Sequence, residues 1–411
     1  MITRIEARTY KCLRDVDVEL GRLNVLVGPN ATGKSTLLDV VGFLRDALRL
    51  DGDVGRAVRA RGRSLRELVW REGTDGFELA LGVRRGSGST GETEPGALRY
   101  GVLLGAGSDG PLEVSWEMVY RRDGEQRDPG ADDWRVRLKG IFDGVPPDEL
   151  LEALIHAGVL VLRGQGSNVF FGREGNALPY RPAPDRLALS LVPEDPDEYA
   201  EAIGLRDFLR YRVHTVELDP RVMRAPCPPD APLAYEPDGS NVPLLVQQIA
   251  ETERFEWWIE HLRLVMRGLQ ALEVVEEPHN RHLYLVAVYE DGLRVPAWRL
   301  SDGTLRFLAL TLIAYLPPED RVFIIEEPEN GMHPKAIEYL MQSLTSVYEG
   351  QVFLATHSPI IVGLTDPEDL LCFSQDEEGA TRIVRGSEHP ELAKWREALA
   401  LSDMFAAGVL G

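Results

Sequence analysis

The sequence predicts an α/β protein in which a mixed sheet is interrupted by an inserted lobe of antiparallel strands and short helices. An apolar strand at Leu23–Val27 leads through a Gly-rich loop into a pattern of helical period that begins at Ser35. Strands and helices alternate over residues 283–355, as they do in proteins with a parallel sheet. Strands follow one another over residues 77–120 with no helix between them, which indicates an antiparallel meander.

The N-terminal half is predicted to contain six strands and two helices. Apolar and polar residues alternate in most of these strands, whereas the apolar residues of the longer helix recur with helical period. The predicted strands are Ile2–Arg8, Val16–Leu20, Leu23–Val27, Phe77–Val83, Leu98–Leu104 and Leu112–Tyr120. The predicted helices are Ser35–Leu50 and Pro147–Ala157.

A Pro cluster over residues 217–242 is interpreted as a loop, or as the join between the inserted lobe and the returning core. Further elements follow it: helix Leu244–Leu272, strand Leu283–Tyr289, helix Gly303–Tyr315, strand Val322–Ile325, helix Pro334–Tyr348 and strand Gln351–Ala355. We therefore assign residues 1–75 and 240–411 to the core and residues 76–239 to the inserted lobe.

The composition excludes several classes of protein. The 411 residues include 45 basic and 66 acidic side chains, a net charge of −21, so the chain is not a general polyanion binder. Its three cysteines, Cys12, Cys227 and Cys372, have neither disulfide-framework nor metal-site spacing, which fits a reducing cytosol. No apolar run approaches the roughly 18 residues of a membrane span. We therefore expect a soluble cytoplasmic protein with no membrane contact.

The loop after the strand Leu23–Val27 fits the phosphate-binding pattern G-x-x-x-x-G-K-[ST]. Amide N–H groups in such a loop, and at the start of the following helix, form an anion cradle. Lys34 would supply a positive charge to the outer phosphates, and the Ser35 hydroxyl would ligate Mg²⁺. A chance match is the alternative, but the strand before and the helix after provide the required context. The loop consists of Gly28, Pro29, Asn30, Ala31, Thr32, Gly33, Lys34 and Ser35, and Thr36 follows it.

Two carboxylates end the apolar strand Val322–Ile325. Nucleotide sites of parallel sheets place acids at the carboxyl ends of strands. We assign Glu326 to Mg²⁺ and Glu327 to the attacking water, which it would orient and deprotonate. The alternative, that both acids merely begin a loop, loses weight because a phosphate-binding loop is present.

Two shorter motifs accompany these acids. Leu300-Ser301-Asp302-Gly303 precedes an apolar helix, so Ser301 is either an N-cap or part of a loop that binds the γ-phosphate held by another subunit. His357 follows the strand Gln351–Ala355. It could be an ordinary loop histidine, but its place in order after the other motifs favours a functional role.

The ordered set GPNATGKS, LSDGT, FIIEEPE and THSP resembles the ABC-type ATPases of the SMC/RecF branch. More closely, it is similar to the small bacterial ATPases related to OLD-family proteins. The flanking sequences EEPENGMHP and, at Asp238–Asn241, DGSN are also typical of that group. These motifs cover residues 1–45 and 238–362, whereas the middle of the chain matches only in general layout.

The resemblance implies a P-loop NTPase with an ABC-type head and Mg²⁺-dependent ATP hydrolysis in a head-to-tail homodimer, with higher oligomers open. Gly28–Thr36 of one subunit would face Ser301 and Gly303 of the other, and His357 would contact the γ-phosphate. A further set would communicate across the dimer: Glu329, Asn330 and His333.

The chain departs from the family pattern in some respects. Glu326 stands where many members of the wider superfamily have Asp, and the LSDGT motif lacks a second adjacent Gly. A Mg²⁺-sensing loop Gln cannot be placed. The segment after His357 is too short for the toprim nuclease domain of OLD-type nucleases, so we expect no nuclease activity from this chain.

An Arg-rich segment, Arg56–Arg71, is the best basic patch and could bind DNA, the nucleotide or an acidic partner; a solvated loop is the alternative. For the biological role, one hypothesis is an ATPase sensor or regulator of a bacterial defence or toxin-control system that acts with a separate effector protein. The other is a RecF-like DNA-repair or DNA-clamp ATPase. The acidic net charge favours a protein partner.

Overall fold

The computed structural model describes residues 1–71, 75–84, 97–106, 112–122, 150–164, 167–173, 175–347 and 349–390. The chain divides into two compact units. The first comprises Met1–Leu20, Thr36–Val213 and Gln375–Arg382, and the second comprises Gly21–Ser35, His214–Ser374 and the residues from Ile383 onward. The division into a core and a lobe at residues 76 and 239 stays a prediction.

The described strands are numbered in chain order. They are β1 Ile2–Tyr10, β2 Leu13–Glu19, β3 Leu23–Val27, β4 Gly76–Arg84, β5 Ala97–Ala106, β6 Leu112–Arg122, β7 Val159–Gly164, β8 Ser167–Phe171, β9 Ala177–Pro179, β10 Val213–Val216, β11 Leu269–Glu276, β12 Leu283–Tyr289, β13 Arg294–Pro296, β14 Val322–Glu326, β15 Gln351–Ala355, β16 Leu370–Gln375 and β17 Thr381–Arg385.

The described α-helices are numbered in the same way. They are α1 Lys34–Arg49, α2 Val54–Arg59, α3 Leu150–His156, α4 Pro196–Asp207, α5 Pro220–Met223, α6 Val242–Ile249, α7 Glu253–Arg263, α8 Asp302–Leu312, α9 Pro334–Thr345 and α10 Pro359–Gly363. In the part of the chain that the structure describes, no helix has the length and apolar character needed to cross a membrane.

The first unit contains an eight-stranded sheet in the order β2-β1-β4-β5-β6-β7-β8-β9, and all its described pairings are antiparallel. This confirms the antiparallel meander predicted for residues 77–120, although β7, β8 and β9 were not foreseen. Three aromatic side chains pack together in its core, with ring centroids 4.8 to 6.2 Å apart: Tyr10, Phe43 and Phe77.

A partly buried ion cluster around Asp39 also belongs to the first unit. The Tyr10 hydroxyl, the Lys11 Nζ and the Arg61 Nε each donate to Asp39 at 2.6 Å, and Arg61 also reaches Asp46 at 2.8 Å. Burial alone would raise the pKa of the Asp39 carboxyl, but Arg61 and Lys11 outweigh it, so this pKa lies below its ordinary value.

The second unit contains a six-stranded sheet in the order β10-β14-β15-β3-β16-β17 and a three-stranded sheet, β11-β12-β13. Strands β14, β15, β3 and β16 run parallel to one another. Strands β3 and β15 are buried along their whole length, which explains why their sequences are mostly apolar. Because β14, β15 and β3 are parallel neighbours, their carboxyl ends lie along one edge of the sheet.

The helix predicted over Leu244–Leu272 is wrong. The structure has two helices there, α6 and α7, followed by the strand β11. The chain leaves helical geometry at Thr252 (φ −112°, ψ 155°), the N-cap of α7, and again at Gly268, whose φ of +76° favours glycine. Of the helix predicted at Pro147–Ala157, the first three residues lie outside the described residues, and the rest contains α3.

Candidate functional site

The phosphate-binding loop lies between β3 and α1, as predicted. Its backbone has positive φ at Gly28 (145°), Ala31 (65°) and Gly33 (104°), a turn geometry that lets successive amides line an anion-binding concavity. A Cβ added to Gly28 would lie 2.3 Å from the carbonyl oxygen of Phe373 on β16. The first loop position therefore requires glycine, both for its conformation and for its close approach to the neighbouring strand.

Lys34 is held inside its own loop. Its Nζ donates to the carbonyl oxygens of Gly28 at 2.8 Å and Pro29 at 2.9 Å, and only 7% of the residue is exposed. Burial lowers the pKa of Lys34, while the negative charges of Glu326 and Glu327 oppose this shift. The ammonium group thus sits within the electrostatic reach of both strand-end acids, where an anionic ligand would stabilise its charge.

The acid assigned to the metal contacts the loop directly. Glu326 is the last residue of β14, and the Ser35 Oγ donates a hydrogen bond to its Oε2. The Ser35 hydroxyl oxygen and a Glu326 carboxylate oxygen, from distant parts of the sequence, are therefore close enough to ligate the same ion. Oxygen ligands of this kind, completed by phosphate oxygens and water, are those that Mg²⁺ prefers, so these residues fit the ion.

Glu327 has a constrained backbone and a tethered side chain. Its φ of 48° is unusual for a residue with a side chain, and its N–H donates to the carbonyl of Ala355 on β15 at 2.8 Å. The Asn330 Nδ2 donates to the Glu327 Oε2 at 2.6 Å. One carboxylate oxygen is thus fixed by Asn330, a contact that the spacing of three residues in EEPEN could have suggested.

Glu329 ties this turn to the loop that carries His357. The Glu329 Oε1 accepts hydrogen bonds from the Thr356 Oγ1 at 2.7 Å and from the His357 backbone N at 2.9 Å. The His357 residue is half-buried, and its ring makes no hydrogen bond with the described residues. The structure gives Glu329 a role within the subunit that the sequence did not indicate, while communication across a dimer stays a prediction.

Ser301 is the N-cap of α8, so one of its two predicted roles is confirmed. Its Oγ accepts from the Thr304 N at 3.1 Å, and it lies 2.7 Å from the Thr304 Oγ1. A Cβ on Gly303 would lie 2.3 Å from the carbonyl oxygen of Gly331. The helix start therefore packs against the turn after Glu327, and only glycine fits at that contact.

Arg224, which follows α5, is a further residue of this region that the sequence did not predict. The Arg224 Nη2 donates to the Leu300 carbonyl at 2.8 Å and to the Asp302 Oδ1 at 2.6 Å. These two bonds fix the loop on both sides of Ser301. No local pattern signals this role, because Arg224 and Leu300 are 76 residues apart in the sequence.

The sheet order brings most of the predicted residues to one edge. Glu326 and Glu327 lie at the end of β14, His357 lies beyond β15, and the phosphate-binding loop follows β3. Glu326 and Glu327 at the end of β14 and the anion-binding loop after β3 therefore flank His357, which follows the intervening strand β15. This arrangement can hold a nucleotide triphosphate and present a base to a water molecule. His333 lies outside it, as the N-cap of α9.

Comparison with known families gives one match that covers more than half of the chain. Residues 23–145 and 244–363 match the family described as "AAA domain, putative AbiEii toxin, Type IV TA system". Among known proteins, the chain is similar to the OLD nuclease of Thermus scotoductus. The two are 35% identical over 422 residues, a match that spans 98% of this chain and 68% of that protein.

Two solved structures of Smc heads are similar to this chain. The Smc head bound to the C-terminal winged-helix domain of ScpA has a TM-score of 0.50 at 12% identity, covering 93% of this chain and 97% of that one. A Smc head domain with an extended coiled coil from Pyrococcus furiosus has a TM-score of 0.47 at 13% identity, covering 96% and 99%. At such low identity the first likeness shows the fold, which confirms the predicted ATPase-head class.

Proposed function

We propose that this chain, which belongs to the family described as "AAA domain, putative AbiEii toxin, Type IV TA system", hydrolyses ATP. We also propose that it closes a homodimer when ATP is bound. The chain is an SMC-like ATPase related to the OLD nuclease. The observation that carries the proposal is the hydrogen bond from Ser35 to Glu326, which joins the phosphate-binding loop to the acid at the end of β14.

ATP binding would begin with the loop amides of Gly28–Ser35 around the phosphates. Lys34 would exchange its bonds to the Gly28 and Pro29 carbonyls for bonds to the outer phosphate oxygens. This exchange favours binding, because a buried ammonium gains a fully charged partner. Ser35 and Glu326 would hold Mg²⁺, which would supply positive charge to the phosphate oxygens.

Hydrolysis would use Glu327 as the general base. Asn330 fixes one oxygen of its carboxylate, which leaves the other to accept a proton from the attacking water. His357 would contact the γ-phosphate, since its ring makes no hydrogen bond with the described residues and its loop is held by Glu329. The turn 327–330 thus contains the base, Glu327, and also Glu329, which holds the backbone of His357.

Closure would bring Ser301 and Gly303 of one subunit against the nucleotide of the other. Ser301 is exposed, and its loop is already fixed by Arg224 and by the contact of Gly303 with Gly331, so little ordering would be needed. Dimerisation would then depend on ATP, because each nucleotide supplies part of the interface.

The biological role we propose is that of an ATPase sensor or regulator in a bacterial defence or toxin-control system, acting with a separate effector protein in the cytoplasm. The printed family description, which names a toxin and a type IV TA system, supports this role. The similarity to a protein named OLD nuclease is compatible with it.

The variant Lys34→Ala tests the site. Loss of the buried cation should abolish binding of a fluorescent ATP analogue and Mg²⁺-dependent phosphate release. Lys335→Ala is the control, because Lys335 is an exposed lysine on α9 that lies over the Tyr339 ring. Unchanged nucleotide affinity in Lys34→Ala would refute the assignment of the loop.

A further inference from the structure

The six arginines of the segment Arg56–Arg71 fall into two groups in the structure, and all of them lie in the first unit. Two have partners within the chain. Arg61 pairs with Asp39 and Asp46 in the ion cluster, and its side chain is only 10% exposed. Arg71 lies over the Trp70 ring, 5.0 Å from its centroid, and donates to the Glu378 carbonyl at 2.8 Å.

The other four arginines are exposed and form no ion pair with any described residue: Arg56, Arg59, Arg63 and Arg66. Arg56 and Arg59 lie three residues apart on α2, so their side chains emerge near one another. Arg63 and Arg66 flank the start of the short 3-10 helix Leu65–Leu68. In a chain with a net charge of −21, this is a local concentration of uncompensated positive charge.

Two of the four arginines line a cavity of about 450 Å³. Its other lining residues include the polar Ser64 and Asp185 and the apolar Leu112 and Pro184. Arg56 and Arg66 are outside this lining. A ligand that contacted all four guanidinium groups would therefore have to extend beyond the cavity. This indicates an extended polyanion and not a single small anion.

The acidic groups nearby leave this charge in excess. Glu67 lies between Arg63 and Arg66 and accepts the Arg63 backbone N–H at 2.9 Å. Asp53 caps α2 through the Arg56 backbone N–H and lies 3.6 Å from the Arg186 Nη2. Asp185 is the carboxylate in the cavity wall. Of these three acids, none forms an ion pair with the four arginines.

We propose that Arg56, Arg59, Arg63 and Arg66 form a surface that binds the phosphate backbone of DNA. Residues 51–75 contain no lysine, and the planar guanidinium fork of arginine matches phosphate oxygens in a bidentate manner. Apolar walls beside the arginines fit a ligand in which charged phosphates alternate with uncharged sugars. The inference does not depend on ATP hydrolysis, since these residues belong to neither the phosphate-binding loop nor the strand-end acids.

The test is fluorescence anisotropy with a labelled duplex of about 20 base pairs, without nucleotide and with EDTA, over a series of salt concentrations. Four phosphate contacts predict a slope of log K against log salt of about −3.6. The double variant Arg59→Gln/Arg63→Gln should bind at least tenfold more weakly, with a slope of about −1.8. Its Tm in a thermal melt should equal that of the wild type, which shows that it is folded.

A matched control is Arg281→Gln/Arg294→Gln, which removes two exposed arginines that are paired with Glu276 and Glu273. This variant should bind DNA within twofold of the wild type. The proposal is overturned if the wild type does not bind the duplex at low salt, or if Arg59→Gln/Arg63→Gln binds it equally well. It is also overturned if polyglutamate displaces the labelled duplex as effectively as unlabelled DNA does, because the surface would then fit an acidic protein.

Discussion

The hydrogen bond between Asn330 and Glu327 gives the most specific prediction. If Asn330 holds the base in position, Asn330→Ala should slow hydrolysis without weakening ATP binding. The bond is 2.6 Å long, and its acceptor is the carboxylate of Glu327, a residue whose backbone φ is 48°. Removing it would let the Glu327 side chain leave the geometry needed to accept a proton from water.

The magnitude follows from the kind of bond. Hydrogen bonds to charged groups contribute about 1.5–3 kcal/mol, and both of these side chains are exposed, so we take about 1–2 kcal/mol. If this bond is required in the transition state, the loss corresponds to about a 5- to 30-fold decrease in kcat. KM for ATP should stay within about twofold, because the phosphate-binding loop is untouched.

The assay is steady-state phosphate release, with Asn280→Ala as the control. Asn280 donates to the Glu277 Oε2 at 2.7 Å with the same three-residue spacing and similar exposure. The control removes an equivalent bond in the turn between β11 and β12 and should leave kcat unchanged. Asn330→Gln should recover part of the lost rate. An Asn330→Ala variant with wild-type kcat, or with a raised KM alone, would refute the positioning role.

The remaining predictions concern the base, the helix start and the ion cluster. Glu327→Gln should bind ATP but lower kcat by about 10²- to 10⁴-fold, measured by single-turnover hydrolysis; a normal rate would exclude it as the base. Gly303→Ala should lower Tm by about 2–4 °C in a thermal melt, because the new Cβ meets the Gly331 carbonyl. Asp39→Asn should destabilise at pH 7. Because its folded pKa is lowered, the difference in Tm from the wild type should shrink as the pH falls below about 4, and a constant difference would contradict the ion-pair account.

The parts of the fold that sequence predicts well are those with a local signal. Strand Leu23–Val27 has the predicted bounds because a mostly apolar segment ends at Gly28, which begins the phosphate-binding loop. Strand β15 also has its predicted bounds. The helix predicted over Leu244–Leu272 was wrong, because apolar residues recur with a similar period past the N-cap Thr252 and past Gly268, whose φ is positive. Very short strands such as β9, which has three residues, carry too few residues for a periodic signal.

The site divides in the same way. The loop residues and the strand-end acids follow from spacing alone, and the sheet order then places them together. Arg224 could not be found, because its contact with Leu300 depends on a tertiary approach of distant segments. Glu329 was assigned to a dimer contact, and its bonds to Thr356 and His357 become visible only once β14 and β15 are neighbours.

If ATP joins two subunits through Ser301, the protein should dimerise only when ATP is bound and the Ser301 loop can reach the partner. The Glu327→Gln variant with ATP should form a stable dimer, measured by light scattering coupled to size-exclusion chromatography. Adding Ser301→Arg should leave ATP binding by the monomer unchanged and should abolish this dimer, because a bulky side chain enters the closed interface. Thr252→Arg, at the N-cap of α7, is the matched control and should still dimerise. If the Ser301→Arg variant dimerises with ATP as well as the Glu327→Gln protein does, Ser301 is only an N-cap and the shared site is wrong.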